Sequence, residues 1–220
     1  MIDNMKSILS QSALDVLCEK FHIPDTVHPE LTGHNDRIRN SPTGKICVYS
    51  QFFDFSNYQI SLSQFLVDIL EYFRINLSQL SIITATKVSH FKILCHVYGF
   101  VLTVGNFSRF NINSKNKGWM SFSKRSDNAL VCYTKSLDLL KYWNNHFCWV
   151  DAFVFPLDVP WHNNKTLRKD PHPTPAEFNA DVCDYLAENP APFKKFLKPF
   201  LCFVGISRYY YLDENYYPTF

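Results

Sequence analysis

The sequence predicts an α+β fold, predominantly helical, with several core helices and a small antiparallel sheet of two to four short strands. Three observations carry this. Apolar residues recur at steps of three and four through 62–73 and 88–98, the period of a buried helix face. Short runs such as Lys45–Ser50 and Gly118–Lys124 mix large apolar with small polar residues and suit strands. The 220 residues are 46% hydrophobic and 19% charged, with 20 Phe, 12 Tyr and 4 Trp, which fits a folded chain whose core is built largely from rings.

The elements follow in order. A first helix is expected over Ser10–Phe21, with Ala13, Leu14, Leu17 and Phe21 on one face and Pro24 as its stop. Residues 22–44, punctuated by Pro24, Pro29, Gly33, Pro42 and Gly44, read as irregular. Lys45–Ser50 reads as a strand that could run on to Phe55. Ser61 is the expected cap of a helix carrying Leu62, Phe65, Leu66, Ile69, Leu70 and Phe73 inward. A further helix is expected over Leu80–Tyr98, closed by Gly99, and Thr103 caps a short one through Phe110. Gly118–Lys124 and Ala129–Thr134 are expected to pair as strands around a turn at Ser126–Asn128. A helix near Ser136–Trp143 and a strand near His146–Phe155 follow.

Five prolines between Pro156 and Pro175 mark an extended connector. Thr174-Pro-Ala-Glu177 then has the form of a capping box, with Pro at the first helical position, opening a helix to Glu188. Another helix, interrupted near Pro199, is expected within Phe193–Ser207. The domain reading is therefore a main helical domain with a small sheet (1–155), a Pro-rich connector (156–175), and a C-terminal helical segment packed on the main domain (176–220). The apolar end Tyr216–Phe220 reads as a chain cut short.

Charge is unevenly placed. From Tyr72 to Ser126 there are 55 residues without an Asp or Glu but with eight cations: Arg74, Lys87, Lys92, Arg109, Lys115, Lys117, Lys124 and Arg125. The flanking parts carry −4 and −2, so the overall +2 conceals a basic centre. Cations beside rings can meet phosphate and stack on bases, which makes Lys115, Lys117, Trp119, Lys124 and Arg125 the nucleic-acid-binding candidates. Strand alternation places Lys117, Trp119 and Ser121 on one face and Met120, Phe122 and Lys124 on the other, so rings and cations are not segregated. The competing reading is a solvated hairpin with its rings buried.

Other chemistries find little purchase. No carboxylate stands in the centre for a two-metal site, and no Tyr-x-Asp-Asp or Asp-Thr/Ser-Gly motif occurs. His90, Cys95 and His96 are spaced five and one apart, off the i, i+4 register that would aim them at one ion. The seven cysteines include no CxxC, and Cys148 beside His146 implies no third group. Six unclustered glycines offer no phosphate-cradling loop. No catalytic residues, metal or cofactor are expected. With no apolar run of about 20 residues and no leader-like start, an intracellular chain that does not enter a membrane is expected.

Several stretches together carry a resemblance. They are Phe21-His-Ile-Pro24 with Pro29; Pro42-Thr-Gly-Lys-Ile46 with Tyr49, Phe52 and Phe53; Leu62-Ser-Gln-Phe65; and Ile75-Asn-Leu-Ser-Gln-Leu80. They continue with Val88-Ser-His-Phe91 to Cys95, Asn113–Phe122, and Phe200–Tyr209. In order and number these resemble the plant gypsy-type transposon domain family, a retrotransposon-derived group that carries a transposase label. The resemblance implies a product or remnant of a long-terminal-repeat element and transfers no catalytic residue. The function expected is a non-enzymatic, gag-like or accessory domain acting through protein–protein and nucleic-acid contacts. The alternatives are a DNA-binding module or remnant of a DNA-processing transposase or integrase, and a degenerate copy without selected function. Expected partners are a second copy of the chain and, weakly, RNA or DNA; no small-molecule substrate is indicated.

Overall fold

Six α-helices and three antiparallel strand pairs form among residues 2–56, 60, 62–125, 131, 143–155, 161, 172–189, 211–212 and 218–219, which a computed structural model describes. The α+β class is as the sequence predicts. The strands do not join into one sheet, however. Each pairs with a single partner strand: Lys45–Tyr49 with Phe147–Asp151, Asn111–Asn116 with Trp119–Lys124, and Tyr211–Leu212 with Pro218–Thr219.

Helix α1 (Gln11–Phe21) starts where Ser10 accepts a hydrogen bond from the Ala13 N–H. It buries Leu14 and Leu17 while Ala13 stays exposed, so its inner face is narrower than expected. Its end is made by His22 in the left-handed region (φ 49°), with the Ile23 N–H closing on the Cys18 carbonyl at 3.0 Å. Pro24 only follows this stop. Residues 22–44 are irregular apart from a 3-10 turn at Asp25–Val27, as expected.

Strand β1 (Lys45–Tyr49) is shorter than the extension to Phe55 anticipated, because the chain turns directly into α2 (Ser50–Ser56). That turn points Phe52 and Phe53 into the core from a helix rather than a strand. Its partner is β4 (Phe147–Asp151), with Cys47 opposite Trp149 and Lys45 opposite Asp151. The chain after β4 makes a 3-10 turn, Ala152–Val154, where strand was expected. Glu30 pairs with Trp149 on the other side of β4 through two backbone bonds of 2.9 Å.

Helix α3 (Gln64–Phe73) is capped by Ser63, not Ser61; Ser63 accepts from the Leu66 N–H. Phe65, Leu66, Ile69, Leu70 and Phe73 are buried, as the period requires. Arg74, also left-handed (φ 51°), ends it with the Ile75 N–H on the Leu70 carbonyl at 2.8 Å. Helix α4 (Ile82–Tyr98) is capped by Ser81 and closed by Gly99 at φ 69°, and α5 (Val104–Phe110) by Thr103. Phe65, Phe91, Phe107, Phe122 and Phe73 then form a chain of rings with centroids 4.8–6.1 Å apart, mostly edge-to-face. A second group joins Tyr49 to Phe52, Trp143 and Phe147. Edge-to-face contact sets the positive rim of one ring on the negative face of another.

Helix α6 (Ala180–Glu188) begins later than the capping box suggests. Thr174 and Glu177 do bond, with the Thr174 N–H and hydroxyl donating to Glu177 Oε2 at 2.7 and 2.9 Å, but they close a turn. Asn179 caps the helix instead. The segment lies on α5 at Gly105, where a Cβ would stand 1.6 Å from the Glu177 carbonyl oxygen. The Asn179 N–H donates to Asn106 Oδ1 at 2.8 Å, and Cys183 and Leu186 are buried. The helix expected near Ser136–Trp143 lies outside the described residues except at Trp143, which opens a 3-10 turn. Most of the Pro-rich connector and the helix expected within Phe193–Ser207 also lie outside them.

Candidate nucleic-acid interface

Strand β2 (Asn111–Asn116) leaves α5 directly, with Asn111 Nδ2 donating to the Phe107 carbonyl at 3.0 Å. It pairs in register with β3 (Trp119–Lys124), Asn111 opposite Lys124 and Asn116 opposite Trp119. The partner β3 shows is β2; the strand expected at Ala129–Thr134 lies outside the described residues apart from Val131. The turn is Lys117-Gly118, both with positive φ (51° and 100°), as a two-residue type I′ hairpin requires. Ile2 is seated beneath this tip. Its N–H donates to the Lys117 carbonyl at 3.2 Å, and a Cβ on Gly118 would come within 2.2 Å of Ile2 Cγ2.

The hairpin is held from the α4 side by a polar stripe one helical turn apart, Ser81, Thr84 and Lys87. The Ser81 N–H donates to the Met120 carbonyl at 2.9 Å, and Thr84 Oγ1 donates to the same oxygen at 3.3 Å. Thr84 Oγ1 accepts from the Phe122 N–H at 2.8 Å, and Lys87 Nζ donates to the Phe122 carbonyl at 2.6 Å. The Met120 carbonyl and the Phe122 N–H and carbonyl therefore meet the Ser81 N–H and two side chains, which spares the cost of leaving them buried and unpaired.

This architecture divides the eight central cations. Lys87 and Arg125 are buried; the Arg125 N–H donates to the Phe110 carbonyl at 2.9 Å and its Nε to the Ser108 carbonyl at 3.0 Å. Lys92 is half-buried, and burial lowers its ammonium pKa. Arg109 is half-buried with its guanidinium 5.6 Å over the Phe178 ring, and Arg74 ends α3. Lys115, Lys117 and Lys124 are exposed on the hairpin.

Of the five contact candidates, three reach the surface and two do not. Trp119 is 8% exposed, its Nε1 donates to the Tyr49 hydroxyl at 3.0 Å, and its ring meets Trp143 edge-on. Arg125 is 3% exposed. Both are corrections: they build the hairpin's foundation and offer nothing to a ligand. Alternation does not expose Trp119, because Met120 and Phe122 are buried from the opposite face as well and β3 is covered on both sides near the tip. Sequence reasoning also passed over the hydroxyls of Ser114 and Ser123, exposed and 3.5 Å apart on the face opposite Lys115 and Lys124. Register pairing would have placed them there had β2 been recognised.

A second polar arrangement lies at the far end of β1 and β4. Lys45 Nζ sits 2.6 Å from Glu30 Oε1 and 2.8 Å from Asp151 Oδ1, and His28 Nδ1 lies 2.6 Å from Asp151 Oδ2. Hydrogen bonds from Lys45 and then His28 hold the Asp151 carboxyl below the usual aspartate range, and bonds to Asp151 and then Glu30 raise Lys45. The cluster ties the irregular 22–44 segment to the strand pair. Beside it, Leu14, Asp15, Cys18, Asp25, His28 and Glu30 line a cleft of about 440 Å³. Burial, with Asp15 and Asp25 adding to it, raises the Cys18 thiol. Burial likewise pushes Cys95 and Cys148 up to about 12, which favours the protonated, unreactive form. Among the described residues no group of three His, Cys, Asp or Glu could hold a metal ion. No helix there is long and apolar enough to cross a membrane.

Comparison of the chain with family models, with curated proteins and with solved structures found no match.

Proposed function

We propose that this chain is a non-enzymatic, gag-like accessory domain of a plant gypsy-type retrotransposon that works by contact, presenting the β2–β3 hairpin to nucleic acid. The retroelement part rests on the resemblance of the motifs from Phe21 to Tyr209. The nucleic-acid part rests on one observation: Lys115, Lys117 and Lys124 are exposed on a hairpin fixed by α4 and Ile2, within 55 residues that lack a carboxylate. A rigid support means that docking orders only the lysine side chains, not the backbone beneath them.

Three phosphate contacts make a weak, salt-sensitive binder. Release of counterions from a single strand gives a slope of log Kobs against log salt of about −2, or roughly a fifteen- to twentyfold loss of affinity between about 50 and 200 mM salt. Fluorescence anisotropy with a labelled single-stranded RNA or DNA measures this directly. The wild-type chain is expected to bind with that slope, and the K115E/K117E/K124E variant to lose binding while keeping its thermal transition. Unchanged binding by the variant would refute the reading. Self-association is the second contact proposed, and light scattering on the same samples measures it.

A further inference from the structure

Accepting the hairpin as the nucleic-acid contact, we infer that it reads only the sugar–phosphate backbone and takes no part in stacking or reading bases. The hairpin contains two rings, and both are committed elsewhere. Trp119 is 8% exposed with its indole N–H on Tyr49, and Phe122 is 1% exposed between Phe73 and Phe107. Among the described side chains, those the hairpin exposes are Lys115, Lys117 and Lys124, with Ser114 and Ser123 on the other face from Lys115 and Lys124. Lysine ammonium groups contact phosphate oxygens, the kind of contact that positions a strand without specifying its sequence.

The spacing suits an extended polyanion. Lys115 lies opposite Met120, four residues from Lys124, which at strand rise places the two about 13 Å apart along the hairpin. Lys117 extends the row beyond Lys115 to the tip. A phosphate strand is favoured over an acidic protein partner because the lysines are spread along the length of the hairpin, which suits the evenly spaced charges of an extended polyanion. Each anionic phosphate offers several acceptor oxygens to a lysine ammonium.

The test compares an oligothymidylate with an abasic deoxyribose-phosphate oligomer of equal length, about 16 units, the upper site size of small single-strand-binding modules. Base stacking contributes roughly 5- to 150-fold per base where it occurs. Backbone-only contact predicts abasic affinity within about twofold of oligothymidylate, and an equal weakening of both by K115A with the salt slope shallower by about 0.7. A loss greater than about fivefold with the abasic strand, while oligothymidylate still binds, would overturn this inference and leave the function standing. Failure of both oligomers to bind would remove the function itself. Poly-glutamate of the same length binding as tightly as the oligomers would overturn the assignment to phosphodiester.

Discussion

Gly105 offers the sharpest test of how the C-terminal helix is attached. In Gly105→Ala the new methyl would stand 1.6 Å from the Glu177 carbonyl oxygen and 2.4 Å from its carbon, both backbone atoms. Helix α5 cannot retreat, because Phe107 and Phe110 anchor it in the ring core. The segment around Glu177 must therefore move outward by roughly 1.5–2 Å, the distance needed to restore ordinary contact. That breaks the 2.8 Å bond from the Asn179 N–H to Asn106 Oδ1 and draws Leu186, 0% exposed, from its site. Losing Leu burial costs about 2 kcal/mol, and the hydrogen bond about 1 kcal/mol more, so a destabilisation of about 3 kcal/mol is expected. Urea unfolding followed by tryptophan fluorescence measures it. The decisive arm is the pair with Leu186→Ala, which alone should cost about 2–5 kcal/mol. If Gly105→Ala already expels the segment, Leu186→Ala adds almost nothing in that background. Additive costs, or a Gly105→Ala effect under about 0.5 kcal/mol, would refute the close approach.

Three other expectations follow from the same contacts. Thr84→Val keeps the shape but orphans the Phe122 N–H and one bond to the Met120 carbonyl; a loss of about 2–3 kcal/mol is expected by urea unfolding, with faster amide exchange confined to the hairpin. Arg74→Gly relieves a left-handed residue at the end of α3 and should stabilise by about 1 kcal/mol in the same assay. Asp151 has a folded pKa held below the ordinary aspartate value, so its contribution is present above about pH 4 and lost as acid protonates the folded carboxyl; Asp151→Asn should flatten that part of the acid-unfolding profile. Lys45, raised in the folded state, contributes below its ordinary range and loses that contribution only as pH rises through its folded pKa.

Local chemistry made much of the helical framework legible. Ser10, Thr103 and Gly99 stand where the caps of α1, α5 and α4 form, because each acts on backbone groups within a few residues. The choice between Ser61 and Ser63 was harder, since both precede the same apolar run. Strand β2 escaped because Asn-Ile-Asn-Ser-Lys-Asn has little strand preference of its own; pairing with β3 imposes its conformation. The capping box formed its bonds without starting a helix, and the segment that holds it is drawn against Gly105 on α5, a contact over 70 residues distant in the chain. For the interface, composition located the basic region but could not separate presented cations from buried ones. The available clue lay at the start of α4, where Ser81, Thr84 and Lys87 repeat every third residue beside the apolar Ile82, Ala85 and Val88. Such a stripe facing inward needs polar partners, and the backbone of β3 supplies them.

That stripe has a consequence for assembly. A two-stranded ribbon usually needs a third strand to be stable, and its open side invites one from another molecule. Here the open side of β3 is closed by the Ser81 N–H and the Thr84 and Lys87 side chains, standing in for a neighbouring strand. A second copy of the chain therefore cannot add a strand there without first peeling α4 away, and this route to uncontrolled β-aggregation is shut by the same residues that steady the basic hairpin.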